Sequence, residues 1–206
     1  MIRSLLGPPL RIEWKTAVMT VAVTLLIMVD RYFALTPWKS LDRFIFYLLV
    51  PLVITLLVFR EAPDRYGFAL GDWKAGIAIT LIAWLLLAPI LYFAARTSAM
   101  REYYAWQLQT RLPLWLLLEL AAWEYIFRGW LIQGYGRQFG SSALWLQAVP
   151  FALAHLGKPA LETLSTIFGG FAFGWVAWRT RSFIYSFLIH YFVTIFTVLA
   201  AAGVFG

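Results

Sequence analysis

The stretch LWLLLELAAWEYIFRGWL, residues 114–131, is apolar enough to lie in a lipid bilayer, and yet it contains three charged side chains. These are Glu119, Glu124 and Arg128. An ionisable side chain near the middle of a membrane span costs about 2.5–3.5 kcal/mol on insertion scales. Such residues usually face the interior of a helix bundle or a water-filled cavity. The stretch therefore predicts a transmembrane helix with a functional polar face.

The composition of the whole chain is that of a membrane protein. Of its 206 residues, 62% are hydrophobic and 13% are charged. In a soluble domain roughly half of the residues are hydrophobic and roughly a quarter are charged. The absence of cysteine excludes disulfides and thiolate metal sites. The net charge of +7 is attributed to Lys and Arg at the ends of spans rather than to nucleic-acid binding. The expected surroundings are membrane lipids.

Seven apolar segments are long enough to be candidate spans. They cover residues 16–36, 43–59, 75–95, 113–134, 142–156, 160–178 and 183–203. The fifth is short and predicts a tilted or re-entrant helix, so the range is six to eight spans. The hydrophilic gaps are too short to fold alone. The fold class is therefore all-α, a polytopic transmembrane helical bundle, with one domain over 1–206 and a motif-bearing half over about 113–206.

A small excess of Lys and Arg on one side predicts that the N-terminus is inside. The first apolar run lacks a small-residue cleavage site and is interpreted as a retained span. The compact chain without targeting signals favours a prokaryotic cytoplasmic membrane. The sequence indicates neither the oligomeric state nor the identity of the substrate.

Polar residues are concentrated in the C-terminal half. Glu124 and Arg128 lie four residues apart with the acid first, which is the favourable order for a helical ion pair. Such a pair serves either a functional site or helix packing alone. His155 ends an apolar segment, Gly157 and Pro159 then break the helix, and Glu162 begins the next one. Irregular backbone at membrane depth indicates a cavity lined by protein.

The last span contains His190 and Thr194, one helical turn apart. His190 needs a polar partner at depth, and the acids of the fourth and sixth spans are the candidates. Gly170 and Gly174 form a Gly-x-x-x-Gly seam, which predicts close helix packing. Such packing would hold His155 and His190 within reach of Glu124.

One carboxylate and two imidazoles support two kinds of chemistry. Glu124, His155 and His190 can hold a divalent metal such as zinc and leave one position open for water. Without a metal, a desolvated carboxylate accepts a proton from water while an imidazole donates to the developing oxyanion. Both routes hydrolyse an acyl bond. The chain has no Gly-rich phosphate loop, H-E-x-x-H or G-x-S-x-G motif.

Four short motifs resemble the CPBP intramembrane protease family, which comprises CAAX prenyl endopeptidases and bacteriocin-processing or self-immunity proteins. The family pattern is E-E-x-x-x-R, then F-x-x-x-H, a Gly-rich helix, and H-x-x-x-N/D. The corresponding residues here are Glu124 and Arg128, Phe151 and His155, Gly169, Gly170 and Gly174, and His190 and Thr194. The resemblance covers about 113–194, with an upstream extension at YGFALGDWKAGI.

The resemblance implies an intramembrane endopeptidase that cuts a lipidated, prenylated, hydrophobic or leader peptide. Glu124 would activate water or ligate the metal, and Arg128 would orient Glu124. His155 would be a ligand or base partner, and His190 with Thr194 would hold the oxyanion or the metal.

Two positions depart from the family pattern. Trp123 stands where the first glutamate is expected, and Thr194 stands where Asn or Asp is expected. Glu162 is the candidate that restores the missing carboxylate, as in a variant branch with a single glutamate in the first motif. Glu119 is a weaker candidate, because it points roughly 140° away from Glu124 around the helix.

Two other functions stay open. Trp123 and Thr194 favour a non-catalytic family member that acts as a membrane scaffold, immunity factor or peptide-binding protein. Buried Glu, His and Arg also form proton relays in transporters, although the chain has no inverted repeat or paired half-helices.

Overall fold

The computed structural model describes residues 10–110 and 113–206, and in that part of the chain all regular secondary structure is helical. This confirms the predicted all-α membrane bundle. The helices are α1 (Trp14–Tyr32), α2 (Lys39–Phe59), α3 (Trp73–Ala95), α4 (Ser98–Tyr104) and α5 (Gln107–Thr110), followed by α6, α7 (Ala143–Ala154), α8 (Ala160–Thr180) and α9 (Ile184–Ala201). Helix α6 comprises Pro113–Glu124, a π-helical turn at Tyr125–Leu131, and Ile132–Phe139.

Each of the seven predicted spans corresponds to a helix or a continuous helical segment. Four helices in the described residues are long and apolar enough to cross a membrane, namely α2, α3, α8 and α9. The 12-residue helix α7 is short, as the sequence predicted for the fifth segment. At 1.5 Å per residue it is about 18 Å long, less than the roughly 30 Å hydrocarbon core. The orientation of the N-terminus stays a prediction.

Acidic side chains cap the first turns of two helices. Glu13 accepts hydrogen bonds from the backbone nitrogens of Lys15 and Thr16 at the start of α1. Asp72 accepts one from Ala75 at the start of α3. Side-chain acceptors at this position satisfy N–H groups that have no partner within the helix. These caps fix where the two helices begin.

Helix α6 is the centre of the bundle and packs against α2, α7, α8 and α9. All seven residues of its π-helical turn, Tyr125–Leu131, are buried. A π-turn adds one residue to the hydrogen-bonded ring and commonly lies at a functional site. Here it begins directly after Glu124 and contains Arg128. The turn therefore determines the directions in which these two side chains point into the core.

The predicted glycine seam lies between α7 and α8. A Cβ atom on Gly174 would lie 2.8 Å from Nε2 of Gln147, and one on Gly170 would lie 3.1 Å from Cα of Ala148. The side chain of Gln147 also donates a 2.7 Å hydrogen bond to the carbonyl of Gly170. The close packing expected from Gly-x-x-x-Gly is confirmed. It fixes α7, whose C-terminal end carries His155, against α8.

Candidate active site

Glu124 joins two side chains that the sequence assigned to the site. Its Oε1 lies 2.7 Å from Nδ1 of His190 on α9, and its Oε2 lies 3.3 Å from Nε of Arg128. Glu124 and Arg128 are fully buried, and His190 is 8% exposed. The predicted ion pair is therefore present, and the histidine of the last motif has found its partner in an acid of α6.

Arg128 is surrounded by aromatic rings. Its guanidinium carbon lies 3.8 Å from the ring centre of Phe151, with Phe173 and Phe127 at 5.3 and 5.7 Å. A cation over an aromatic face is stabilised by the ring quadrupole, more strongly when both are desolvated. Within the described residues, no hydrogen-bond acceptor meets Nη1 or Nη2 of Arg128. Glu124 and the three rings therefore provide the stabilisation of this buried charge.

His155 lies at the helix break that the sequence predicted. Helix α7 ends at Ala154, Gly157 takes a positive φ of 95°, and α8 begins after Pro159. Nδ1 of His155 lies 2.8 Å from the carbonyl oxygen of Phe151. A carbonyl only accepts, so Nδ1 carries the proton of that bond and Nε2 is the remaining nitrogen of the ring.

A cavity of about 110 Å³ brings most of the predicted site residues together. His155, His190 and Thr194 line it, and so does Trp123. Glu124 does not line it but lies behind His190, in contact with Nδ1. The arrangement presents two imidazoles and a hydroxyl to the cavity, with one imidazole held from behind by a buried carboxylate.

The carboxylate that lines the cavity is that of Glu119. Glu119 is 4% exposed, pairs with Nη1 of Arg43 and accepts a 2.7 Å hydrogen bond from the hydroxyl of Ser40. On the sequence alone, Glu119 is a weaker candidate than Glu162, because it points away from Glu124 around the helix. Glu119 and Glu124 face different neighbours, and the cavity lies along the face of α6 that carries Leu116, Glu119, Leu120 and Trp123. Arg43 of α2 also lines the cavity. The sequence did not predict this, because no motif or spacing links Arg43 to the residues of α6.

Glu162 occupies a different place from the one expected of a second catalytic acid. Its carboxylate accepts hydrogen bonds from the hydroxyl of Tyr104, at 2.6 Å, and from Nζ of Lys158, at 2.7 Å. Tyr104 and Lys158 line the cavity, whereas Glu162 does not. The structure therefore places Glu162 where it holds two cavity-lining groups.

Trp123 occupies the position of the expected first glutamate. Its indole packs edge-on against the rings of His155 and Tyr47, at centroid distances of 5.5 and 5.3 Å. The guanidinium carbon of Arg43 lies 5.3 Å from the same indole. A large aromatic side chain thus fills the space where the family pattern expects a carboxylate, directly beside His155.

The residues do not form a ready metal site in this arrangement. The described part of the chain contains no group of three His, Asp or Glu side chains placed to hold a metal ion. Both oxygens of Glu124 face other partners, His190 and Arg128. The predicted set of Glu124, His155 and His190 does not fit a metal here, and metal binding stays a prediction.

A second ionic cluster lies at the N-terminal end of α1. Glu61 is within 2.5 Å of Nζ of Lys15 and 2.6 Å of Nη1 of Arg137, and it accepts a 2.8 Å hydrogen bond from the hydroxyl of Tyr66. Partial burial raises the pKa of Glu61, but the bonds from Lys15, Arg137 and Tyr66 outweigh it and lower the pKa to about 2. This cluster ties α1, the segment after α2 and the end of α6 together.

Fold and site define a polytopic helical membrane protein with a buried Glu–His pair beside a polar cavity. The family model described as type II CAAX prenyl endopeptidase Rce1-like matches residues 105–196. The match confirms the family resemblance over the segment that contains α6 to α9. Comparison with curated proteins and with solved structures gave no match.

Proposed function

We propose that the protein is an intramembrane endopeptidase that hydrolyses a peptide bond in a lipidated or hydrophobic peptide. The observation that carries the proposal is the cavity-lining imidazole of His190, bonded through Nδ1 to the buried carboxylate of Glu124. A carboxylate only accepts hydrogen bonds when ionised, so His190 keeps its proton on Nδ1. Nε2 is then the basic nitrogen, as in a histidine oriented by an acid in hydrolytic triads.

Water activation is assigned to His190 rather than directly to Glu124. Glu124 has no exposed surface and does not line the cavity, so a water molecule in the cavity meets the imidazole first. Nε2 of His190 accepts a proton from this water as its oxygen attacks the carbonyl carbon. Glu124 stabilises the imidazolium that forms. Arg128, 3.3 Å from Glu124, is a positioning residue that holds the carboxylate in place.

The remaining steps need hydrogen-bond donors and a proton for the leaving group. The hydroxyl of Thr194 and the ammonium of Lys158 both belong to the cavity lining and can donate to the oxyanion of the tetrahedral intermediate. When the C–N bond breaks, the imidazolium of His190 returns its proton to the departing amine. His155 and Glu119, on other walls of the cavity, are acceptors that orient the attacking water.

The proposal is tested with a quenched fluorescent peptide that ends in a prenylated C-a-a-X sequence. Wild-type protein, reconstituted in lipid nanodiscs, should cleave the peptide, and the cut is located by mass spectrometry. His190→Gln should reduce kcat by about 10²–10⁴-fold, the usual contribution of a general base. Trp145→Phe on the exposed side of α7 is a matched control and should cleave like wild type. Cleavage that is unchanged in His190→Gln would refute the mechanism.

A non-catalytic, peptide-binding function is the second candidate, and the position of Trp123 favours it. Its indole packs against His155 and takes space beside the imidazole. If this function is the correct one, wild-type protein binds the prenylated peptide in a fluorescence anisotropy titration but releases no cleaved product. The same reconstituted sample thus distinguishes the two candidates.

A further inference from the structure

A second cavity, of about 380 Å³, lies between α1, α2 and α7. Leu153 and Leu156 line it and are 58% and 55% exposed, so its apolar side faces the lipid. Arg43 and Trp123 line both this cavity and the active-site cavity. The guanidinium carbon of Arg43 lies 5.3 Å from the ring centre of Trp123, and this layer of side chains separates the two cavities. The second cavity is therefore a site of its own.

The second cavity lies at a boundary of the membrane. Lys39, part of its lining, is the first residue of α2, which is long and apolar enough to cross a bilayer. Arg31, also part of the lining, is the last residue but one of α1. In the connection between the two helices, Phe33 and Trp38 are 65% and 57% exposed. Exposed aromatic side chains beside basic ones are typical of the level of the lipid headgroups.

The charges around the second cavity leave one positive charge unbalanced. Its lining carries three basic side chains, Arg31, Lys39 and Arg43, and one acid, Asp30. Asp30 lies 2.8 Å from Nζ of Lys39 and 3.3 Å from Nε of Arg43. Glu119, which lines the other cavity, pairs with Nη1 of Arg43. Two carboxylates therefore face three basic groups, and the excess equals the single negative charge of a phosphodiester.

Arg31 is the base that these acids leave uncompensated. It donates a long hydrogen bond, 3.4 Å, to the carbonyl of Leu156. Within residues 10–110 and 113–206 no carboxylate forms a salt bridge with Arg31, because the nearby acids pair with Lys39 and Arg43. A guanidinium has five N–H donors in a planar fork, which binds two oxygens of one phosphate group. The geometry of Arg31 thus suits a phosphate better than a point-like anion.

We propose that the second cavity binds the headgroup of an anionic phospholipid, with Arg31 as the bidentate partner of the phosphodiester and Lys39 as the second cation. Ile27 and Met28 lie one helical turn before Arg31 on the same face of α1, and Leu153 faces them from α7 across the cavity. The acyl chains lie against these apolar side chains. Phosphatidylglycerol fits the excess charge, whereas the choline group of phosphatidylcholine adds a positive charge beside two bases. This site does not depend on the proposed peptidase activity.

The test is thermal unfolding of the whole protein in a neutral detergent that contains either phosphatidylglycerol or phosphatidylcholine. At a lipid concentration about ten times the Kd, phosphatidylglycerol should raise the Tm of wild type by about 3–6 °C, and phosphatidylcholine should not raise it. Arg31→Gln should lose the shift. Arg11→Gln, which removes an exposed arginine at the opposite end of α1, should keep it. Sodium phosphate at matched ionic strength should leave the Tm unchanged, because it lacks the acyl chains.

Arg31→Lys keeps the inference testable if Arg31→Gln fails to fold. This variant retains the charge but not the paired N–H groups, so a Tm titration with phosphatidylglycerol should give a Kd about tenfold higher than that of wild type. An unchanged Kd would overturn the role of Arg31. A Tm shift of equal size with both lipids, or in both wild type and Arg31→Gln, would overturn the site. A full shift with sodium phosphate alone would overturn the lipid as its ligand.

Discussion

Nδ1 of His190 and Oε1 of Glu124 lie 2.7 Å apart, although they belong to helices 66 residues apart in sequence. This bond converts two costly polar residues of a membrane bundle into one oriented base. Burial removes competing water from Glu124, and His190 lines the cavity. Although Glu124 does not line the cavity, its carboxylate determines which nitrogen of the His190 imidazole carries the proton.

Glu124→Gln should abolish cleavage and destabilise the fold. The amide removes the charge that balances Arg128, and loss of one partner from a buried pair costs about 3–5 kcal/mol. It also allows the other tautomer of His190, because an amide donates as well as accepts. The free energy of unfolding and the rate of peptide cleavage in the same preparation measure the two effects.

The double variant Glu124→Gln with Arg128→Met separates these effects. Removal of both charges leaves no unpaired ion, so stability should return to within about 1–2 kcal/mol of wild type, as for other buried pairs replaced by apolar side chains. Cleavage should stay as low as in the single variant. Recovery of cleavage together with stability would mean that Glu124 serves packing alone.

Glu119→Gln and Glu162→Gln should differ in their effect on activity. Glu119 lines the cavity, so its variant should reduce cleavage by about 10²-fold or more. Glu162 itself lies outside the cavity and bonds to Lys158 and Tyr104. Its partly exposed ion pair with Lys158 contributes about 1 kcal/mol to stability at most. Its variant should therefore stay within about tenfold of wild type. If Glu162→Gln lowers kcat/KM more than Glu119→Gln does, Glu162 is the residue that replaces the missing first glutamate of the family pattern.

Patterns along a single helix explain which parts of the site the sequence could predict. The helical spacing of Glu124 and Arg128 predicts their ion pair. Gly157 and Pro159 predict the helix break after His155. The seven segments were likewise recognised from apolar length. Local periodicity alone was enough for these features.

Apart from the contact of His190 with Glu124 and the Gly170/Gly174 seam, relations between helices could not be predicted in the same way. The place of Glu119 depends on Arg43 and Ser40 of α2, and that of Glu162 depends on Tyr104 of α4. A helical wheel gives the direction of a side chain but not which neighbour lies there or how far a cavity extends. The π-turn after Glu124 was also absent from the sequence interpretation, since no residue pattern marks it.

The cluster around Glu61 predicts a pH-dependent contribution to stability. The pKa of Glu61 is lowered to about 2 in the folded protein, from an ordinary value of 4.5, because Lys15, Arg137 and Tyr66 bond its carboxylate. A lowered pKa stabilises the fold above the ordinary value, and this stabilisation is lost as pH falls through 4.5 toward 2. Glu61→Gln should reduce the free energy of unfolding by about 2–3 kcal/mol at pH 7.

Unfolding of wild type and Glu61→Gln between pH 7 and pH 2 provides the measurement. The difference between them should shrink on acidification, since protonated glutamic acid resembles the amide. Glu102→Gln, on the exposed side of α4, is the matched control and should have little effect at any pH. A difference that is constant across this range would contradict the proposed ionic role of Glu61.

Trp123→Glu tests whether this chain can be brought to the full family pattern. The change places a carboxylate between Arg43 and His155, where the indole now packs. Loss of a buried tryptophan should cost about 3–5 kcal/mol, reduced by the new ion pair with Arg43. If the wild-type site is already active through His190 and Glu124, the added acid should change kcat less than tenfold. If the wild-type protein is inactive, cleavage of the prenylated peptide should appear.

Trp123→Gln is the control, because it opens the same space without adding a charge. A gain of cleavage in Trp123→Glu that Trp123→Gln does not reproduce would show that the missing carboxylate limits the reaction, and it would assign wild type to the non-catalytic class. An equal gain in both variants would show instead that the indole blocks substrate access beside His155. Loss of cleavage in both, with Tm unchanged, would make the edge contact of Trp123 with His155 part of the working site.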